Sequence, residues 1–157
     1  MRALVQLVQS ARVEVDSLVA AEIGPGLLVY VGFSNADSLV EANTMCKKLL
    51  NLPVFVSEEA DRSSKVNVMQ KNYELLLVSQ FSLYGVFKGN RLDFHDAMPP
   101  QQAKPLYEAL LECFGQHYNA HRIKDGIFGV KRKVFLVNSG PLAFQLDSKS
   151  LDTTEDI

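Results

Sequence analysis

Ser79, Gln80 and Ser82 stand together in SQFSLYG, residues 79–85, directly after the apolar run ELLLV, residues 74–78. Two hydroxyls and an amide at the end of a strand need hydrogen-bond partners that a sealed core rarely supplies. Such groups can serve a ligand instead. A nucleophilic role for Ser79 or Ser82 would require a base and a group that orients it. The chain has three histidines, His95, His117 and His121. None lies in a catalytic motif, and G-x-S-x-G is absent. His117 falls on the apolar face of a helix and is expected to be a core histidine. His117 and His121 have helical i,i+4 spacing, but H-E-x-x-H is missing and no third ligand is evident, so no metal site is expected.

A second polar stretch, NSGPLAF, residues 138–144, raises a similar question. Taken alone, Asn138-Ser139-Gly140-Pro141 reads most simply as a turn between two strands. The functional alternative is that Gly140 lets the backbone approach a ligand closely, while Pro141 can fix a cis peptide that redirects the neighbouring carbonyls. Carbonyls held in that way only accept hydrogen bonds, so they select an ammonium group by its position. A third set is basic: Lys47, Lys48, Lys88, Arg91, Lys124 and the run Lys131-Arg132-Lys133. These can cradle an RNA backbone, although any single one is more simply a solvated surface residue.

The elements that must position these groups follow from periodicity. Residues 2–8, 12–15 and 18–23 read as strands, and Gly24-Pro25-Gly26 is a turn that feeds the apolar run 27–33. A run that apolar is expected to be buried on both faces. Ser38 and Glu41 have capping-box spacing, and Leu39, Ala42, Cys46, Leu49 and Leu50 form one helical face that ends before Pro53. A short strand is expected at 53–56 and a surface loop at 57–72. Residues 74–84 form the strongest buried strand. Residues 85–100 read as an extended loop carrying Lys88, Arg91 and His95. Pro99-Pro100 opens a second helix, with Ala103, Leu106, Leu110, Cys113, Phe114 and His117 in its stripe and Pro105 near the first turn. Strands are expected at 131–138 and 141–147.

This pattern predicts a single α/β domain, a layered mixed β-sheet with two main amphipathic helices on one side. The domain is expected over 1–148, with a polar, acidic, disordered tail over 149–157. A length of 157 residues suits one domain. The formal net charge of -2 argues against a sequence-independent nucleic-acid coat, though not against a local basic patch. Cys46 and Cys113 both fall on apolar helix faces, which fits a reducing cytoplasm rather than a disulfide framework. No membrane-spanning run and no signal peptide are evident.

Several stretches together resemble the D-aminoacyl-tRNA deacylase family, of the D-tyrosyl-tRNA deacylase type, from Met1 to about Ser148. MRALVQLV at the start is similar to the family's MRxVVQRV, and EIGPGLLVYVG at 22–32 to its IGPGLLVLVG. LLVSQFSLY at 76–84 resembles the SQFTLY signature and KGNR at 88–91 the family's basic loop. PLYEAL at 105–110, GIFG at 126–129 and LVNSGP at 136–141 follow in family order.

The resemblance implies a homodimer with a barrel-like sheet that hydrolyses the ester between a D-amino acid and the 3' end of tRNA, and also releases glycine, with no cofactor and no DNA partner. It implies that Ser79, Gln80, Phe81 and Ser82 line the pocket. Asn138, Phe128 and Gly129 would contact substrate, together with Gly140 and Pro141 entering from the other subunit through a cis Gly-Pro peptide. Lys88, Arg91 and Lys131 would hold tRNA. Departures from the family pattern are Ser82 for Thr, Leu7 for Arg, Leu92 for Pro, Arg132 for Met and Ala143 for Thr. They bear on the strictness of chiral selection. A related branch that clears L-alanine carries PQATL in place of SQFTL and is one rival. Others are a non-catalytic tRNA-binding relative and a small-substrate serine esterase.

Overall fold

The computed structural model describes residues 1–58 and 64–151. In chain order the elements are β1 (Arg2–Val15), β2 (Leu18–Ile23), β3 (Gly26–Gly32), α1 (Leu39–Asn51), β4 (Phe55–Val56), β5 (Lys65–Val66), β6 (Glu74–Ser79), β7 (Val86–Lys88), β8 (Arg91–Asp93), α2 (Pro100–His117), β9 (Ile123–Asp125) and β10 (Lys133–Asp147). The main sheet runs β10-β1-β3-β6-β9, with β2 also paired to β1. It is mixed: β1 is antiparallel to β10, β2 and β3, while β3–β6 and β6–β9 are parallel.

One long strand makes the sheet curl. Residues 2–8 of β1 pair with β3, and residues 11–15 pair with β2 on the same edge. The β1–β2 hairpin closes through Asp16 and Ser17, both at positive φ (50° and 64°), the backbone of a two-residue turn that matches strand twist. From there β2 leans back across β6 and β9, so the sheet is nearly closed and barrel-like. The strands expected at 2–8 and 12–15 are therefore one continuous element.

Two cores result. Alternate residues of β3 and β6 point to opposite faces, as strand geometry requires. Leu27, Val29, Val31, Leu75 and Leu77 pack under the helices with Met45, Cys46, Leu49, Tyr107, Leu110 and Phe114. Leu28, Leu76 and Val78 point the other way and pack inside the curl with Val8, Ala11, Val13 and Ile23. Both helices thus cover one face, as periodicity predicts. Helix α1 starts with the expected capping box between Ser38 and Glu41. Helix α2 opens at Pro100, but Pro105 lies beyond the first turn, inside the helix. Leu151 packs against the helix-side core after a short 3-10 turn at Ser148–Ser150, so residues 149–151 are ordered rather than part of a loose tail. Residues 152–157, the rest of the expected tail, lie outside the described residues.

Three expectations are corrected where local polar groups decide the outcome. The buried strand expected over 74–84 stops at Ser79, and Phe81–Tyr84 form a 3-10 turn. Pairing to β9 ends at Leu77, and pairing to β3 ends with Gln80 N–H donating to the Val31 carbonyl at 2.7 Å. Beyond that point the backbone satisfies itself locally, Leu83 N–H to Gln80 O and Gly85 N–H to Ser82 O. The loop expected over 85–100 contains the β7–β8 hairpin. The strands expected on either side of Gly140-Pro141 are one strand with a bulge: Val8 faces Asn138 and Gln6 faces Ala143, which leaves Ser139–Leu142 with Leu7 alone opposite them. Proline is tolerated there because a bulge on an edge strand needs no ladder N–H.

Candidate active site

The turn after β6 opens a cavity of about 640 Å³. Its floor is the end of β3, Tyr30 to Phe33, and the end of β6, Val78 to Phe81. Its walls come from Phe94 to Pro100 on one side and Phe128 to Arg132 on the other. Glycine at position 32 permits the close approach of turn and strand. A Cβ there would lie 2.7 Å from the Gln80 carbonyl oxygen and 3.1 Å from Leu83 Cβ. Phe81 is 59% exposed and meets Phe94 edge to face at a centroid distance of 5.0 Å. The opposite wall is braced from beneath. Tyr107 OH lies 2.8 Å from Asp125 Oδ1 and 3.0 Å from the Leu77 carbonyl, and its ring packs 5.4 Å from Phe128. Burial raises the Tyr107 phenol far above its ordinary range, and Asp125 beside it raises it further, so it stays a protonated donor.

Ser79, Gln80 and Phe81 line this cavity, together with Phe128, Gly129 and Lys131, the last of which was expected to hold tRNA. Ser79 Oγ accepts from the Gly129 N–H at 3.3 Å and from Arg132 Nη2 at 3.3 Å. The Ser82 hydroxyl is exposed and bonds to the Gln80 amide, and Ser82 is not among the lining residues. Phe81 and Ser82 supply the first N–H groups of the 3-10 turn, positions that have no partner within a helix. No histidine and no carboxylate lines the cavity among the described residues.

The histidines are engaged elsewhere. His95 contacts Asp93 and Asp96, and the hydrogen bond to His95 holds Asp93 down at about 2. His117 is exposed, not a core residue, and its Nδ1 bonds to the Cys113 carbonyl at 2.9 Å. Its helix stripe turns out to water at the last turn. Cys46, Cys113 and His117 bring possible ligand atoms within 4.8 Å of one another. Both thiols are buried, burial raises the Cys46 thiol, and His117 Nδ1 is already bonded to the Cys113 carbonyl.

Gly140, Pro141 and Asn138 are not in this cavity. They lie exposed on β10, with Gly140 at φ 110° and the Gly140-Pro141 bond cis. Ser79 shares the level of Val31 and Ala3, whereas Asn138 shares that of Val8 and Gly26, opposite Glu74. Three strand spacings across and five residues along separate the two segments, about 20 Å in all from strand geometry. Within one chain the two polar stretches do not meet. Lys88 and Arg91 sit on the β7–β8 hairpin beyond the cavity, with Lys88 3.2 Å from Asp93.

Motif reasoning did not single out Tyr30, Phe94, Met98 or Arg132 as cavity residues. Alternation in β3 was the available signal for Tyr30, the polar-tipped member of an apolar run. Arg132 stood in the sequence as one of a basic run and as a departure from the family's Met, and nothing in that run says which of its side chains turns inward.

The fold is a curled mixed sheet with helices on one face, and the cavity at the end of β6 has no histidine or carboxylate among its described lining residues. The chain's residues 4–147 match the family model described as D-Tyr-tRNA(Tyr) deacylase. It is 39% identical over 149 residues to a D-aminoacyl-tRNA deacylase of Dictyostelium discoideum, covering 95% of this chain and 99% of that protein. It is 43% identical to D-aminoacyl-tRNA deacylase 1 of Homo sapiens, covering 98% and 73%. A solved structure of c-Myc DNA Unwinding Element Binding Protein superposes with a TM-score of 0.88 at 44% identity, covering 94% and 98%. The chain belongs to the D-Tyr-tRNA(Tyr) deacylase family. No helix among the described residues is long and apolar enough to cross a membrane.

Proposed function

We propose that this chain is a hydrolase that cleaves the ester of D-aminoacyl-tRNA, releasing the D-amino acid and tRNA, and that it also releases glycine from mischarged tRNA(Ala). The observation that carries this reading is the turn at Ser79–Ser82 beside a cavity with no histidine or carboxylate among its described lining residues. Attack on the ester carbonyl builds negative charge on its oxygen. The N–H groups of Phe81 and Ser82 stabilise that charge, with Gln80 and the Ser79 hydroxyl orienting the ester. Phe128 and Gly129 form the opposite wall. The terminal ribose's own 2'-hydroxyl activates water, which is why the protein needs no base.

Chirality is read by exclusion. A second copy of the chain supplies Gly140 and Pro141, whose carbonyls receive the substrate ammonium and leave no space for an L side chain, with Asn138 beside them. A clash of this kind discriminates more strongly than one lost contact. The support for a dimer is the edge strand β10, which among the described residues pairs with β1 alone and exposes Phe135 (41%), Val137 (52%) and Leu142 (38%). A long apolar edge of this kind invites pairing with another chain. Lys88, Arg91 and Lys131 hold the acceptor end of the tRNA by its phosphates. Incubation of the protein with D-Tyr-tRNA and L-Tyr-tRNA tests the reading: D-Tyr is released and L-Tyr is not. Equal rates, or no release from either, would overturn it.

A further inference from the structure

The cavity holds one charged side chain whose position no motif explains. Arg132 reaches inward from the segment before β10. Its Nη1 donates to the Gly126 carbonyl at 3.0 Å, its Nε to the Val130 carbonyl at 3.0 Å, and its Nη2 to Ser79 Oγ at 3.3 Å. A guanidinium has five N–H donors in a planar fork, so two remain beyond these three bonds. The nearby carboxylate is Asp125, already engaged by Tyr107 OH and the Ile127 N–H, and it is not ion-paired with Arg132 among the described residues. The charge therefore enters a largely apolar cavity without a contact counter-ion.

Its effect on Ser79 follows from lone-pair bookkeeping. A serine hydroxyl accepts at two lone pairs and donates one proton. Gly129 N–H and Arg132 Nη2 take both acceptor positions. The Ser79 proton has no acceptor among the described residues, so it is left to point at whatever occupies the cavity. The same occupancy argues against Ser79 as a nucleophile, since a nucleophile needs a free lone pair and a base.

We propose that Arg132 is a positioning residue that locks the Ser79 hydroxyl as a hydrogen-bond donor toward the reacting carbonyl and places a positive charge behind it, so that the pair favours an anionic tetrahedral species over the neutral ester. This rests on the deacylase reading for the identity of the substrate, but the geometry makes a prediction that does not require turnover. Two probes separate charge from shape: a 3'-amino-linked D-tyrosyl adenosine, which is neutral at the carbonyl, and the matching D-aminoalkyl phosphonate ester of adenosine, which carries the charge of the intermediate.

Binding of both probes is measured by calorimetry for the unaltered protein, Arg132→Met, Arg132→Lys, Ser79→Ala and the double variant Arg132→Met/Ser79→Ala. Arg132→Met is expected to weaken the phosphonate by about tenfold or more, in the range for losing a charge-assisted bond, and the amide by no more than about twofold. Arg132→Lys recovers most of the phosphonate affinity, which a purely structural role would not allow. In the Ser79→Ala background the same Arg132→Met change costs much less, because the hydroxyl it acts through is gone. With D-Tyr-tRNA, kcat falls while KM stays within about twofold.

Equal weakening of both probes, full additivity with Ser79→Ala, or no binding of either probe by the unaltered protein overturns the proposal. Failure of the unaltered protein to release D-Tyr from tRNA would overturn the deacylase reading, while the binding measurements would still report on Arg132.

Discussion

Tyr107 on α2 places its hydroxyl 2.8 Å from Asp125 Oδ1 and 3.0 Å from the Leu77 carbonyl, tying a helix to two adjacent parallel strands beneath one wall of the cavity. The bond matters beyond stability because Asp125 Oδ1 also receives the Ile127 N–H, at the start of the segment that carries Phe128 and Gly129. Replacement Tyr107→Phe keeps the ring and deletes the donor. The Leu77 carbonyl keeps the Gly126 N–H at 2.8 Å, so the loss falls mainly on Asp125. The expected cost is about 1–2 kcal/mol in urea unfolding, with a larger fractional fall in deacylation than in any effect on tRNA binding.

Ser79→Ala and Ser82→Ala separate two roles. Ser79 faces the cavity and Ser82 does not, so Ser79→Ala is expected to lower kcat by about 10- to 100-fold and Ser82→Ala by less than about fivefold, as measured by single-turnover release of D-Tyr. Abolition of activity by Ser82→Ala alone would point instead to a serine esterase.

Gly32→Ala tests the close approach of the turn. A Cβ at 2.7 Å from a backbone oxygen cannot be relieved by a side-chain rotation, so the turn must shift. The expected penalty is roughly 1–3 kcal/mol of overpacking, with loss of activity exceeding what the fraction folded explains. Thermal unfolding followed by circular dichroism, beside the deacylation rate, reads both.

The edge strand gives a test of assembly. Val137→Lys places charge on the exposed face of β10 and is expected to convert a dimer to a monomer in analytical ultracentrifugation, with activity lost and the monomer still folded. A monomeric unaltered protein with full activity would refute the shared site.

Asp93 gives a pH dependence with a definite sign. Its hydrogen bonds with His95 hold its pKa at about 2, below the ordinary 3.8. A carboxylate with a depressed folded-state pKa stabilises the fold above the ordinary value, and that contribution is lost as pH falls through the depressed one. The contacts of the β7–β8 hairpin with His95 are therefore expected to hold at pH 5 and to loosen between about pH 4 and pH 2, visible as amide shift changes at Phe87–Arg91 in NMR titration. Asp93→Asn removes that pH response.

Much of the fold is legible in the residues. The alternation and apolarity of 27–33 and 74–78 announce strands buried on both faces, and Ser38 with Glu41 marks a helix start that the capping box confirms. What the residues did not give is where a strand stops when its neighbours stop first. Phe81, Leu83 and Tyr84 continue the apolar character of β6, but no strand is left to pair with Gln80–Tyr84. Nor did Gly140-Pro141 announce a bulge rather than a break, because that depends on Leu7 across the ladder. For the site, Ser79, Gln80 and Phe81 of SQFS fall on the cavity floor and Ser82 does not, while Arg132 was hidden by a run of like charges in which only tertiary packing selects the inward member.

Strand β6 feeds alternate side chains into both cores and ends at Ser79. Amide protons of Leu76 to Val78 should thus be among the slowest in the molecule to exchange with deuterium, whereas the β7–β8 hairpin, paired only with itself, should exchange early. The turn that follows is held at both ends, by Gln80 N–H on the Val31 carbonyl at its entrance and by Arg2 Nη1 on the Leu83 carbonyl above buried Tyr84 at its exit: under the proposed reading, whatever adjustment a bulky acceptor stem demands falls to the hairpin beyond it.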